Sequence, residues 1–159
     1  MIQIEVKLHL VEKLFNPANG WSVIVDIDAM EMAKGGQQPG GKADAARECY
    51  QRLKKLGATT GKDKQFGRAD IVARHSIFGT NIVEVEGDTS RQKEQAMYSA
   101  LGQLVVNMKE DTSSFHYALA VPDDPVWERQ LVKIPQHLLA LLDLKLLLVG
   151  SEAIRQCPE

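Results

Sequence analysis

The chain has 159 residues, 44% of them apolar and 25% charged, with a formal net charge of −2. This suits one soluble domain, residues 1–159, with a full hydrophobic core. The balance lacks the basic surplus common in nucleic-acid binders, although clustered carboxylates can mask a local basic patch. No stretch approaches the roughly 20 apolar residues of a membrane span, and the N-terminus does not read as a signal peptide. The two cysteines, Cys49 and Cys157, form no CxxC pair. They fit neither a zinc site nor a disulfide framework, and free thiols in a cytoplasmic protein are the expectation.

Residues 2–15 carry two periodicities. Ile2, Ile4, Val6, Leu8 and Leu10 alternate as in a strand, whereas Ile4, Leu8, Val11 and Phe15 follow helical spacing, which extends further and favours a helix. Residues 16–20, rich in Asn, Pro and Gly, make a turn, and residues 21–27 form a strand. Residues 34–42 read as a glycine-rich surface loop. Within it, Gly36, Gly41 and Lys42 nearly match a phosphate-binding loop, but Ala43 stands where Ser or Thr would hold magnesium, so nucleotide binding is disfavoured.

Residues 43–56 form a helix with Ala46, Tyr50, Leu53 and Leu56 on one face, ended by Gly57. Lys54 and Lys55 complement its dipole. Together with Lys62, Lys64 and Arg68 they make the most basic region of the chain, readable as a solvated turn or as a rim that contacts phosphate. Residues 66–74 and 77–86 read as strands joined by an irregular turn. A helix over 91–108 follows, with Ser90 as N-cap and Met97, Leu101, Leu104, Val105 and Met108 as its buried stripe. Residues 115–121 and 145–149 are apolar strands, with helices over 126–133 and from Pro135 to Asp143 between them. The order is helix, three strands, helix, strand, helix, strand, with an extra helix after the first strand. This predicts an α/β fold with a mixed central sheet flanked by helices.

The chemistry concentrates between residues 67 and 103. Alternation puts Glu84 and Glu86 on one side of their strand, with Val85 in the core and Asp70 across from them. Three carboxylates at one point repel unless a cation lies between them, and Gly87-Asp88 adds a further negative charge. Such a set suits Mg2+ or Mn2+, which can activate water and stabilise charge on a phosphodiester. Arg91, Gln92, Lys93 and Gln95 begin the helix only a few residues later, where they can orient water or phosphate. Each acid also has a plainer explanation. Asp70 can pair with Arg68 or Arg74, and Glu84 and Glu86 can be the solvent face of a strand. Glu5 or Glu12 joins the cluster if residues 2–15 form a helix beside it. The four histidines show no ligand spacing. Trp21 and Trp127 read as core or edge anchors, and Tyr98 as half-buried with its hydroxyl toward the site.

These residues resemble the PD-(D/E)XK superfamily, the restriction-endonuclease-like fold. Asp70 matches its first acid, with Ala69 in place of the usual proline. Glu84-Val85-Glu86 matches its second half-motif in the Glu-x-Glu form, and Gln92, Gln95 and Tyr98 loosely match its helix motif. The resemblance implies a metal-dependent endonuclease acting on DNA. Asp70, Glu84 and Glu86 would be its metal ligands, and Lys93 and Gln95 its phosphate contacts. Lys62, Lys64, Arg68 and Arg91 would face the DNA. Glu86 replaces the usual lysine, and Lys93 is the candidate to replace it from the helix. If it does not, the resemblance implies a non-catalytic DNA-binding or assembly subunit. A homodimer suits a short chain that cuts two strands.

Overall fold

The computed structural model describes residues 1–33, 41–88, 92–110 and 113–158. Gly36 of the phosphate-loop near-match, Ser90 and Arg91 lie outside them. The N-terminal segment is helix α1, Gln3–Lys13. Strand β1, Ser22–Val25, short helix α2, Ala29–Ala33, and helix α3, Lys42–Leu56, follow. Next come β2 (Thr59–Thr60), β3 (Ile71–His75), β4 (Gly79–Val85) and helix α4 (Lys93–Asn107). Strand β5 (Phe115–Pro122), helices α5 (Pro125–Leu131) and α6 (Gln136–Leu142), and strands β6 (Leu144–Val149) and β7 (Ile154–Gln156) complete the described chain.

The strands form one seven-stranded mixed sheet in the order β2-β1-β3-β4-β5-β6-β7. The β1–β3 and β3–β4 pairs are antiparallel, and β4–β5 and β5–β6 are parallel. The expected parallel centre is present because each parallel neighbour is reached through a crossover helix. Helices α1 and α3 cover one face, packing Leu8, Leu10 and Leu53 on Val25, Ala73, Val83 and Val85. The other face carries Val72, Ile82, Leu119 and Leu146, under Met97 and Leu104 of α4 and Trp127 of α5. Alternation along β4 therefore places Glu84 on the α4 side, next to Ile82.

Several element boundaries differ from expectation, for local reasons. Residues 66–70 are not strand. Asp63, buried at 6% exposure, accepts from the Gln65 and Phe66 amides at 2.9 Å and from both terminal nitrogens of Arg74, at 2.6 and 3.0 Å. These bonds fold 63–69 into turns and delay β3 to Ile71. The chain after β1 contains α2, and β2 and β7 add short edge strands. Short segments of this kind carry too few residues to show a period. In α4 the buried face is Ala96, Met97, Ala100 and Leu104, while Val105 is 53% exposed. Small alanines, invisible to a search for large apolar residues, rotate the packed face by part of a turn.

The Asp63–Arg74 pair anchors the basic segment 61–70 to β3. Hydrogen bonds from Arg74, offset in part by burial, hold the Asp63 carboxyl down at about 2, below its ordinary 3.8. A depressed carboxylate contributes stability above its unfolded pKa and loses it as pH falls through the folded one. Asp63→Asn is therefore expected to lower unfolding free energy at pH 7 by about 2 kcal/mol. In urea titrations the gap from wild type should close as pH drops from about 4 towards 2.

Candidate functional site

Strands β1, β3 and β4 end or begin on one edge of the domain, and a cleft of about 760 Å³ opens there. The ladder makes this geometry. Ile71 pairs with Val83 across β3 and β4, so the next antiparallel step sets Asp70 opposite Glu84. The Asp26 amide donates to the Asp70 carbonyl at 2.8 Å and carries β1 to the same point. Glu86 follows as its amide donates to the Ala120 carbonyl at 2.9 Å. Asp70, Glu84 and Glu86 all line the cleft, as do Asp26 and Asp28 from the β1–α2 connection and Glu31 from α2.

Glu84 is the most deeply placed of these acids, at 2% exposure. Its carboxyl hydrogen-bonds to that of Asp70, and its buried Oε1 finds no partner among the described residues. Two carboxyls in contact need a proton or a cation between them. Burial first, then the charge of Asp70, pushes Glu84 up to about 9 against an ordinary 4.5. Without a metal it holds a proton at neutral pH.

Asp70 is held from three sides. Its Oδ2 accepts from the Val85 amide at 2.9 Å, and its Oδ1 lies 2.7 Å from Lys7 Nζ. Gln3 Nε2 donates to the Val85 carbonyl at 2.7 Å and stands 3.4 Å from Asp70 Oδ1. Lys7 is fully buried and also donates to the Asp26 carbonyl at 2.6 Å and to Glu31 Oε1 at 2.7 Å. Burial alone would push the Lys7 pKa down, but Asp70 and Glu31 more than offset it and hold the amine charged. Helix α1 docks this closely because residue 87 is glycine, where a Cβ would run into the Gln3 backbone.

The contribution of α1 thus differs from expectation. Lys7 and Gln3 reach the site, whereas Glu5 caps its own helix through the Ile2 amide and Glu12 pairs with Arg52. Lys93 pairs with Asp88 at 2.7 Å and lies over the Trp127 ring, and it does not line the cleft. Asp88, which also meets the Met1 amine, is thereby neutralised outside the cluster. Gln95 is exposed and away from the cleft. Helix α4 instead presents Ala96, Ser99 and Gln103 to it, spaced three and four residues apart. Tyr98, expected to be half-buried and aimed at the site, is 51% exposed and donates to Glu94 at 2.7 Å. Lys62 lines the cleft, while Lys64 and Arg68 are exposed on the same segment outside it. His75 lies at the opposite end of β3 among Trp21 and Phe78.

Ser99 and Gln103 were legible in principle, since they share a helical face with Ala96. Lys7, Asp26 and Glu31 had no sequence signal, because their convergence is produced by packing between distant segments.

No three His, Cys, Asp or Glu side chains among the described residues are grouped closely enough to ligate one ion by themselves. A magnesium-type ion does not require that, because it usually retains several waters and takes only one or two carboxylates. The touching Asp70–Glu84 pair, with its undonated buried oxygen, fits such an ion. No protein-family model, no curated protein and no solved structure matches the chain.

A raised carboxyl has the opposite pH sign to Asp63. The folded state takes up a proton that the unfolded chain lacks between pH 4.5 and about 9, so stability falls as pH rises through that window. In chelator, Glu84→Gln is expected to raise unfolding free energy by about 1–3 kcal/mol at pH 8 and by much less at pH 5. Thermal melts of both proteins at the two pH values check this.

Proposed function

We propose that this chain is a restriction-endonuclease-like nuclease that hydrolyses DNA phosphodiester bonds with Mg2+ or Mn2+. The observation that carries the proposal is the Asp70–Glu84 carboxyl pair, in contact at the ends of adjacent strands and opening into a cleft. The element order supports it: a helix, three antiparallel strands, a crossover helix and a parallel strand, with Glu84 and Val85 ending the third of these strands, β4, and Glu86 directly after it. Asp70 and Glu84 are the residues that would hold the ion. When bound, it would supply Lewis-acid stabilisation of phosphoryl charge and a more acidic water.

The chain's own groups do the rest. The Val85 amide and Lys7 keep the Asp70 carboxylate aimed, and Gln3 orients the Val85 carbonyl. Glu86 stands on the cleft wall, where it can orient a water. Ser99 and Gln103 of α4 line the same cleft, where they can contact a phosphate or sugar. Lys62, with Lys64 and Arg68 beside it, supplies positive charge for the DNA backbone. Lys93, already paired with Asp88 and placed outside the cleft, is not used. A homodimer would align two such clefts for double-strand cutting.

A second reading, a non-catalytic DNA-binding or assembly subunit, is favoured by one observation. Glu86 stands where the resembled family has lysine, and the buried ammonium of Lys7 already neutralises Asp70. A plasmid assay separates the two. Supercoiled DNA with Mg2+ or Mn2+ should be nicked by wild type and not by an identically purified Asp70→Ala, Glu84→Ala double variant. Equal cutting by both would reveal a contaminant. No cutting by either would favour the non-catalytic subunit.

DNA affinity is expected to depend on salt through the segment 61–70. A Lys62→Ala, Lys64→Ala, Arg68→Ala variant should bind about ten-fold or more weakly at low salt. It should also show a slope of log affinity against log salt shallower by about 2–3. Anisotropy titrations at several salt concentrations measure both.

A further inference from the structure

We propose that Lys7 is the resident cation of the acid cluster, a positioning residue that does for Asp70 and Glu31 what a divalent ion would do. Among the described residues, six carboxylates line the cleft, and the one lysine on its wall, Lys62, is exposed. Lys7 is inside, at 0% exposure. Its three ammonium hydrogens match three oxygens from three separate segments: the Asp26 carbonyl at the end of β1, Glu31 Oε1 on α2, and Asp70 Oδ1 before β3. The distances are 2.6, 2.7 and 2.7 Å. Gathering oxygens from distant parts of a chain is the usual work of a hard ion.

The cluster has two sides. On one, the single charge of Lys7 is shared between Asp70 and Glu31, which is bonded through Oε1 while its buried Oε2 has no partner among the described residues. On the other, Glu84 receives none of the Lys7 donors. Glu84 is 98% buried by its 2% exposure, and its Oε1 is unpartnered among the described residues. An added ion therefore enters beside Glu84, and Lys7 stays in place. The inference deepens the nuclease reading and rests on it for the second half, the ion at Glu84. The first half, Lys7 in an ion's place, stands without it.

The test is Mn2+ titration calorimetry at pH 7 on wild type, Lys7→Met, and Lys7→Met combined with Glu31→Gln. If Lys7 fills an ion's place, its removal exposes Asp70 and Glu31 to the metal. Lys7→Met should then bind Mn2+ about tenfold or more tightly than wild type, or gain an added binding event. Its melting temperature should be low in chelator and recover with Mn2+. The double variant should lose that gain, because half of the vacated carboxylate pair is gone. A purely structural lysine predicts the reverse. Removing it would disassemble the cluster, so equal or weaker Mn2+ binding by Lys7→Met overturns the inference.

Removing one half of a buried pair is the more damaging change. If Lys7→Met does not fold in chelator, refolding with Mn2+ supplies the readout. Recovery supports the inference, and no recovery, with the double variant folded, overturns it. Mn2+ binding by Lys7→Met but not by wild type would support Lys7 as the ion's substitute and remove the metal-dependent nuclease reading instead.

Discussion

The end of the sheet that gathers Asp70, Glu84 and Glu31 depends on one buried charge. An ammonium at the centre of a fold costs several kcal/mol unless every hydrogen finds an oxygen. Lys7 meets that condition by tying three segments together, and the same bonds fix where β1 ends, where α2 sits and how Asp70 is aimed. The geometry of the candidate site is thus a by-product of solvating one lysine. Helix α1 is as much a part of the site as β3 and β4.

The two faces of the sheet divide the work. On the α1–α3 face, Val83 and Val85 of the central strand β4 lie in a continuous apolar core. On the α4 face the apolar row runs through Ile82 and then meets the carboxyl of Glu84. A strand that continues hydrophobic on one side and turns acidic on the other forces the acid into a half-dry place. Desolvation is therefore the leading cause of Glu84's raised pKa, with the charge of Asp70 second. Gly87 then lets the N-terminus of α1 close over the strand end, and the small residues Ala96 and Ser99 leave room on the α4 side.

The basic segment is set by a similar compromise. Asp63 turns 63–69 by accepting two backbone amides while Arg74 on β3 neutralises it. A buried acid thereby positions the exposed Lys62, Lys64 and Arg68. Net charge conceals this arrangement, since acids and bases are sorted in space rather than in number.

The sequence made the order and type of most long elements legible, because α3 and α4 repeat a buried face at the helical period and the central strands β5 and β6, covered on both faces, read as continuous apolar runs. It also determined that Asp70, Glu84 and Glu86 would share one end of the sheet, since antiparallel pairing and alternation follow from strand geometry alone. It did not determine the partners of those acids. Lys7, Gln3, Asp26 and Glu31 are ordinary polar residues in sequence, and Lys93 and Tyr98 were equally good candidates by proximity. Tertiary packing decided among them. Which side of a helix faces a site depends on a rotation of part of a turn, set by residues as small as Ala96 and Gly87. The direction in which a long side chain finds its counter-charge depends on segments far away in the chain.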